Sequence, residues 1–262
     1  MSGMMEQLKG FDLETKWAGR EIIYFPETDS TNRRARLLAQ EGAAHGTLVL
    51  ADCQNAGRGR RGRGWISPAG EGIFMSLLLR PDILPSRVAK LSLLTALAVA
   101  NAIVRETGLD ARIKWPNDIV ISGRKVCGLL LEMTADEHTV YDVVAGVGIN
   151  VHQKEFDAEI AHTASSLDLL AGKVISRAAL VRAFLEEFER TMELEDEEMM
   201  ARYMERSATL GQKVQVISLA DTFTGMAKAV TDSGSLLVED EAGVMREVLA
   251  ADVSVRGIMG YA

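Results

Sequence analysis

Residues 54–65 read Q-N-A-G-R-G-R-R-G-R-G-W, and within them 57–62 spell G-R-G-R-R-G, a literal G-x-G-x-x-G. Set after the apolar run TLVLADCQ (residues 47–54), this pattern is the fingerprint of a dinucleotide-binding turn. Accepting it would make the chain a doubly wound parallel α/β protein, but the context refuses it. A dinucleotide turn opens a helix whose N-terminus faces the pyrophosphate, and here Gly64, Pro68, Gly70 and Gly72 follow, among which no helix can start. The phosphate-binding pattern G-x-x-x-x-G-K-[ST] does not occur. What remains is a long loop with glycines for backbone freedom and arginine forks suited to bidentate contact with phosphate or carboxylate. Taken alone, it is equally a solvated surface loop or an RGG-like nucleic-acid contact.

The charge of the rest of the chain narrows that choice. The 262 residues hold 29 Lys and Arg against 37 Asp and Glu, a net charge of −8, so the molecule as a whole repels a polyanion. Arg58, Arg60, Arg61 and Arg63 nevertheless crowd into six residues, so any cationic function is local. At about 150 residues per domain, the length allows one to two domains. With 47% hydrophobic and 25% charged residues the composition is that of a globular protein. Cys53 and Cys127 form no CxxC pair or disulfide ladder, which points to a reducing cytosol. His45, His138, His152 and His162 lack zinc-site spacing. The N-terminus shows no signal-peptide pattern and no run of 18 apolar residues occurs, so neither secretion nor a membrane role is expected.

Outward from the loop, strands and helices alternate. EIIYF (residues 21–25) is a short β-rich run; Asp29, Ser30 or Thr31 then caps a helix that ends at Gly42. GIFMSLLLR (residues 72–80) suits a strand buried on both faces. Ser86 opens a long apolar helix closed by Gly108, and three strands follow, at ARIKW (111–115), KVCGLLLEM (125–133) and TVYDVVAGVGINV (139–151). A charged helix over 176–207 carries the acidic run ELEDEE on a solvated face. From Gly211 the pattern becomes short strands between turn residues, the spacing of a small all-β barrel. The boundary divides the chain into 1–208 and 209–262.

Three more segments have both a structural and a chemical reading. KWPND (residues 114–118) is an ordinary strand-turn with an Asx turn, or a lysine and an Asn-Asp pair presented at a strand end. In GRKVCGLLLE (123–132), Lys125 is a solvated turn residue or a charge beside a strand whose Gly128 lets a ligand approach the backbone. GVGIN (146–150) is a bulge or a second close approach.

Singly these signals are weak, but their order is specific. S-T-N at residues 30–32, the Arg/Gly run at 54–65, K-W-P-N-D, K-V-C-G-L-L-L-E and G-V-G-I-N together resemble the biotin protein ligase family. The resemblance implies an α+β fold, a mixed β-sheet flanked by helices (class II synthetase-like) with a small C-terminal SH3-like β-barrel. It implies biotin activation by ATP to biotinyl-5′-adenylate, then transfer to a lysine of a biotin carboxyl carrier protein. Only about 20 residues precede the first strand, which resembles the monofunctional form without a helix-turn-helix, so no DNA partner is expected. The family also allows a homodimer.

By the same resemblance Lys125, Arg58 and Arg60 are the catalytic cations, stabilising the biotin carboxylate and the charge that develops on phosphorus. Ser30, Thr31, Asn32, Gln54, Gly57, Arg58, Gly59, Arg60, Lys125, Gly128 and Gly146 are expected around biotin. Arg60, Arg63, Trp65, Lys114, Asn117 and Asn150 are expected around ATP and the adenylate, Asn150 at the adenine, with Asp118 on the Mg²⁺ side. The loop is implied to be disordered without ligand and to fold over the adenylate, keeping water from the anhydride. A lipoate or octanoate ligase of the same superfamily is the nearest alternative, against which the GRGRRGRGW run speaks. A nucleic-acid-binding protein is disfavoured by the net charge and by the lack of aromatic residues within the loop.

Overall fold

The strand GIFMSLLL, β3 (Gly72–Leu79), is buried at all eight positions, so it requires cover on both faces and a partner on both edges. In the computed structural model, which describes residues 5, 6, 8, 10, 12–218 and 221–250 and the backbone of 254–257, β3 lies inside a seven-stranded sheet. The other strands are β1 (Ile22–Phe25), β2 (Leu48–Ala51), β4 (Arg112–Lys114), β5 (Asp118–Ile121), β6 (Arg124–Ala135) and β7 (Val140–Asn150). Their order is β1-β2-β3-β7-β6-β5-β4; β1 and β2 pair in parallel and every other neighbour pair is antiparallel. The sheet is therefore mixed, as the resemblance implied.

Helices cover both faces. On one, α1 (Thr31–Gln40) sets Ala35 and Ala39 against Val49, Leu78 and Val144. On the other, α2 (Val88–Thr107) packs on β4 to β7 and against α4 (Arg177–Met192), which itself touches β3. By length and composition the segment Pro85–Thr107 could cross a membrane, but here it is a core helix. Ala96, Ala98, Ala100 and Ala102 are fully or almost fully buried, small enough for the layers on both sides to approach closely. Gly108 ends α2 in the left-handed conformation, as the sequence predicts.

The charged region at 176–207 departs from expectation. It is two helices, α4 and α5 (Asp196–Glu205), rather than one. The run ELEDEE spans the break instead of lining a face: Glu193 ends α4, Glu195 precedes α5, and Asp196, Glu197 and Glu198 form its first turn, where acids favour the N-terminal dipole. The four-residue β5 and the short α3 (Leu167–Ala171) also escape the sequence pattern, being too short to show a period.

From Lys213 onward the chain forms a separate antiparallel sheet of β8 (Lys213–Ile217), β9 (Thr222–Val230), β10 (Leu236–Asp240), β11 (Met245–Val248) and β12 (Ser254–Gly257), in the order β11-β10-β9-β8-β12. Trp115, the W of KWPND, joins the two parts. It is 1% exposed; its N–H donates to Thr209 Oγ1 at 2.9 Å and its Nε1 to the Gly234 carbonyl at 3.0 Å. KWPND is thus a structural junction as well as a turn.

Candidate active site

A cavity of about 1270 Å³ opens where the N-terminus of α1, the Arg/Gly loop and strands β6 and β7 converge. Its inner end is neutral and tightly bonded. Ser30, Thr31 and Asn32 are nearly buried at the start of α1, and Ser76 of β3 is fully buried beneath them. Asp29, Ser30 and Thr31 were read as alternative capping residues, but Ser30, at the N-cap, makes no capping bond. The Thr31 N–H donates instead to the side chain of Gln54, at 2.8 Å, and Gln54 Nε2 reaches Ser67 Oγ at 2.9 Å.

Proton counting fixes this network. Asn32 Nδ2 donates to the Leu130 carbonyl (3.1 Å) and to Glu132 Oε2 (2.9 Å), so Asn32 Oδ1 must be the atom facing Ser76. Ser76 has one proton, and Oδ1, an acceptor only, lies 2.7 Å away and takes it. The Thr31 hydroxyl, 2.8 Å from Ser76 Oγ and 3.2 Å from Gln54 Oε1, then donates to one of those two. A small neutral ligand with both donors and acceptors can join such a chain without burying charge.

The floor requires glycine. A Cβ on Gly146 would lie 2.1 Å from Asn32 Oδ1. Gly128 and Gly148 pair across β6 and β7 and carry the Trp65 indole, where a Cβ would come within 2.8 and 2.6 Å of the ring. Gly57, expected around biotin, is not in the cavity wall. A Cβ there would meet the Trp65 carbonyl at 2.3 Å, so its lack of a side chain closes the loop rather than admitting ligand.

The mouth is cationic. The Arg/Gly run folds into a small hairpin-like turn, with Gly59 N–H donating to the Arg63 carbonyl at 2.7 Å and Trp65 N–H to the Gly57 carbonyl at 2.9 Å. These cross-loop bonds define the turn. Arg61 takes a left-handed φ of 58° at its tip. Lys125 Nζ sits 2.6 Å from Asp118 Oδ1 and 5.2 Å from the Trp65 ring centre. Arg60 donates to Asn117 Oδ1 at 2.9 Å and to the carbonyl of Ala250, just past β11 of the C-terminal sheet. Burial, the largest influence on it, lowers the Arg60 pKa from its ordinary value. Arg58 is more exposed, 3.5 Å from Glu132 Oε1, and Arg63 is exposed on the rim.

Lys114, Asn117 and Asn150 also line this cavity, with Asn117 Nδ2 held by the Leu129 carbonyl at 2.7 Å and Asn150 Nδ2 by the Ser165 carbonyl at 3.1 Å. Every expected site residue but Gly57 is therefore in one wall. Among the described residues no three His, Cys, Asp or Glu side chains gather to hold a metal. Sequence reasoning did not single out Ser76 and Glu132 as site residues. A lone hydroxyl inside the apolar run GIFMSLLL was the available signal for Ser76; Glu132 stood only as the last letter of a motif.

Residues 24–150 match the biotin/lipoate A/B protein ligase family, and residues 209–256 match the biotin protein ligase C-terminal domain. The chain is 39% identical to the bifunctional ligase/repressor BirA of Bacillus subtilis, aligning 94% of its own length with 77% of that protein. It is 34% identical to the biotin--[acetyl-CoA-carboxylase] ligase of Paracoccus denitrificans, with 86% and 95% covered. The biotin protein ligase from Aquifex aeolicus, solved in complex with biotin and ATP, superposes with a TM-score of 0.79 at 30% identity, covering 91% of this chain and 99% of that one. A neutral slot beside a cationic mouth, two family matches and relatives aligned over most of their length agree: this chain belongs to the biotin protein ligase family.

Proposed function

We propose that the cavity joins biotin to ATP and then delivers the biotinyl group to a lysine of a biotin carboxyl carrier protein. One observation carries the assignment of roles: a neutral hydrogen-bonding end and a cluster of cations share a single cavity, separated by the Trp65 ring. Biotin's ureido ring enters the end formed by Ser30, Thr31, Asn32 and Gln54, which Ser76 braces from beneath, and its carboxylate points to the mouth. There a carboxylate oxygen attacks the α-phosphorus of ATP, and pyrophosphate leaves with the electron pair of the broken P–O bond. Both reactants are anions, so Lys125, Arg58 and Arg60 screen their approach and stabilise the charge that grows on phosphorus. In the second step the carrier lysine's amine forms the amide, AMP leaves, and the amine proton passes to solvent.

Asp118 holds Lys125 at the strand end, which supports a positioning role for this carboxylate. Mg²⁺, which supplies charge neutralisation to nucleotide phosphates when bound, would be carried mainly by those phosphates and waters, with Asp118, the carboxylate beside Lys125, as its protein contact. Arg63 on the rim faces pyrophosphate, and Lys114, Asn117 and Asn150 line the nucleotide side. The C-terminal unit, 209–262, is a second domain; the junction at Trp115 and the separate sheet support that division. A cytosolic setting and a role without DNA agree with two free cysteines and a net charge of −8.

A lipoyl or octanoyl group suits the inner end poorly, because an alkyl chain would leave Thr31 and Gln54 facing hydrocarbon. Pyrophosphate exchange into ATP tests the reading: it should require biotin and ignore octanoate and lipoate. In Lys125→Ala it should fall by about 10²–10³-fold, the range for losing a transition-state donor. Exchange driven by octanoate, or unchanged in that variant, overturns it.

A further inference from the structure

Beyond the residues already assigned, Gln153 is the anomaly in the cavity wall. It lies just past the end of β7, is 5% exposed, and has its backbone carbonyl pinned by Ser166 Oγ at 2.6 Å. Its side-chain Nε2 donates to Asn150 Oδ1 at 3.4 Å, while its own Oε1 is buried with no hydrogen-bond partner. A buried amide oxygen left unsatisfied costs stability, and such exceptions concentrate at functional sites.

The bonds around Gln153 have a direction. It starts at the Ser165 carbonyl, a backbone acceptor fixed in place because the Ser165 N–H donates to the Lys125 carbonyl at 2.9 Å. An acceptor there forces Asn150 to present Nδ2, at 3.1 Å, and therefore to turn Oδ1 the other way. Gln153 then has to offer Nε2 to that oxygen. Turning either amide over would oppose two carbonyl oxygens. The Asn150 carboxamide is thus locked, with an acceptor on one side and a donor on the other.

We propose that Gln153 is a positioning residue for nucleobase selection: by holding the Asn150 amide in one orientation, it makes the site accept a 6-amino purine and reject a 6-oxo purine. The edge of adenine offers an amino donor beside the N7 acceptor, which an acceptor-donor amide matches, whereas guanine offers two acceptors there. This inference rests on the assignment of Asn150 to the nucleotide.

The test is biotin-dependent pyrophosphate exchange with ATP, GTP and purine riboside triphosphate, which lacks the amino group. Gln153→Met keeps the volume and removes both polar atoms. In the wild type ATP should exceed the other two by roughly 10²-fold in kcat/KM, the order expected when a polar match is lost. In Gln153→Met that preference should shrink by about tenfold, through a higher KM for ATP with kcat and the biotin KM nearly unchanged. Biotin binding without nucleotide, by calorimetry, reports folding, and Gln153→Leu replaces the methionine variant if that binding is lost. Full retention of the ATP preference, or a loss confined to kcat, overturns the role of Gln153. Asn150→Ala separates the two ideas. If it too keeps the preference, the assignment of Asn150 fails; if it loses the preference while Gln153→Met keeps it, only the positioning role fails.

Discussion

The two ends of the cavity are built in opposite ways. At the inner end Thr31, Asn32 and Ser76 sit on a helix start and a central strand, at most 5% exposed, in a continuous hydrogen-bond network. At the mouth Arg58, Arg61 and Arg63 stand exposed on a glycine-rich turn held by a few backbone bonds. Shape is read where side chains cannot move, because a displaced neutral donor loses its bond outright. Charge at the mouth comes from two kinds of group: Arg58, Arg61 and Arg63 can move as the anions enter, while Arg60 and Lys125 are held in place by Asn117 and Asp118.

The sharpest way to break this contrast is to remove charge from the mouth. Arg58→Ala should lower pyrophosphate exchange by about 10²-fold while urea unfolding shifts by less than about 1 kcal/mol, since an exposed ion pair with Glu132 contributes little. A comparable loss of stability would make the mouth as structural as the inner end.

Gly146→Ala tests the opposite end. Its Cβ, 2.1 Å from Asn32 Oδ1, must push α1 or Asn32 aside, which should cost roughly 1–3 kcal/mol of stability and about tenfold or more in biotin affinity. Calorimetry showing normal biotin binding would mean that the slot does not end at Asn32.

A control lies far from both. Glu189 accepts the backbone N–H groups of Lys16, Trp17 and Ala18 at 2.7–3.0 Å. Burial works to raise its pKa, but those N–H bonds outweigh it and hold the carboxyl below its ordinary value. A depressed carboxyl contributes stability that is complete above the unfolded-chain pKa and is lost as pH falls through the folded one. Glu189→Gln should therefore cost about 1–3 kcal/mol at neutral pH and flatten the acid side of the stability profile, with the biotin KM unmoved. An unchanged acid profile would remove Glu189 as its source.

The smallest effect is expected at Arg61. Its left-handed φ of 58° costs a non-glycine residue about 1–2 kcal/mol, so Arg61→Gly should leave exchange within about twofold and stability equal or slightly higher. A tenfold drop would mean that the arginines act as one charge cloud rather than as individually placed groups.

Much of the fold was legible beforehand. β3 announced itself as an apolar run interrupted only by Ser76, α2 by its length and its closing Gly108, and the C-terminal sheet by its turn residues. The break between α4 and α5 was hidden, because helical periodicity carries across an acidic run that could equally be a solvated face or a helix start. Glu132 and Gln153 were unreadable for a different reason. Each matters through what it bonds from a distant segment, Asn32 for the one and the Asn150–Ser165 pair for the other. Gly57 was misread because a glycine that admits a ligand and one that clears a carbonyl look alike in sequence.

By itself, then, the sequence determined the kinds of chemistry present: a cationic loop on an acidic chain, glycines in strands, and an ordered set of motifs that names a family. Residue identity and local spacing suffice for that, since propensity and charge are properties of short segments. Only the tertiary structure decided the directions: which way Asn32 and Asn150 turn their amides, which carboxylate holds Lys125, and that Arg60 reaches Ala250 in the C-terminal part of the chain. Hydrogen bonds are directional and join residues far apart in the chain, so their sense is fixed only when the strands and helices that carry them are packed together.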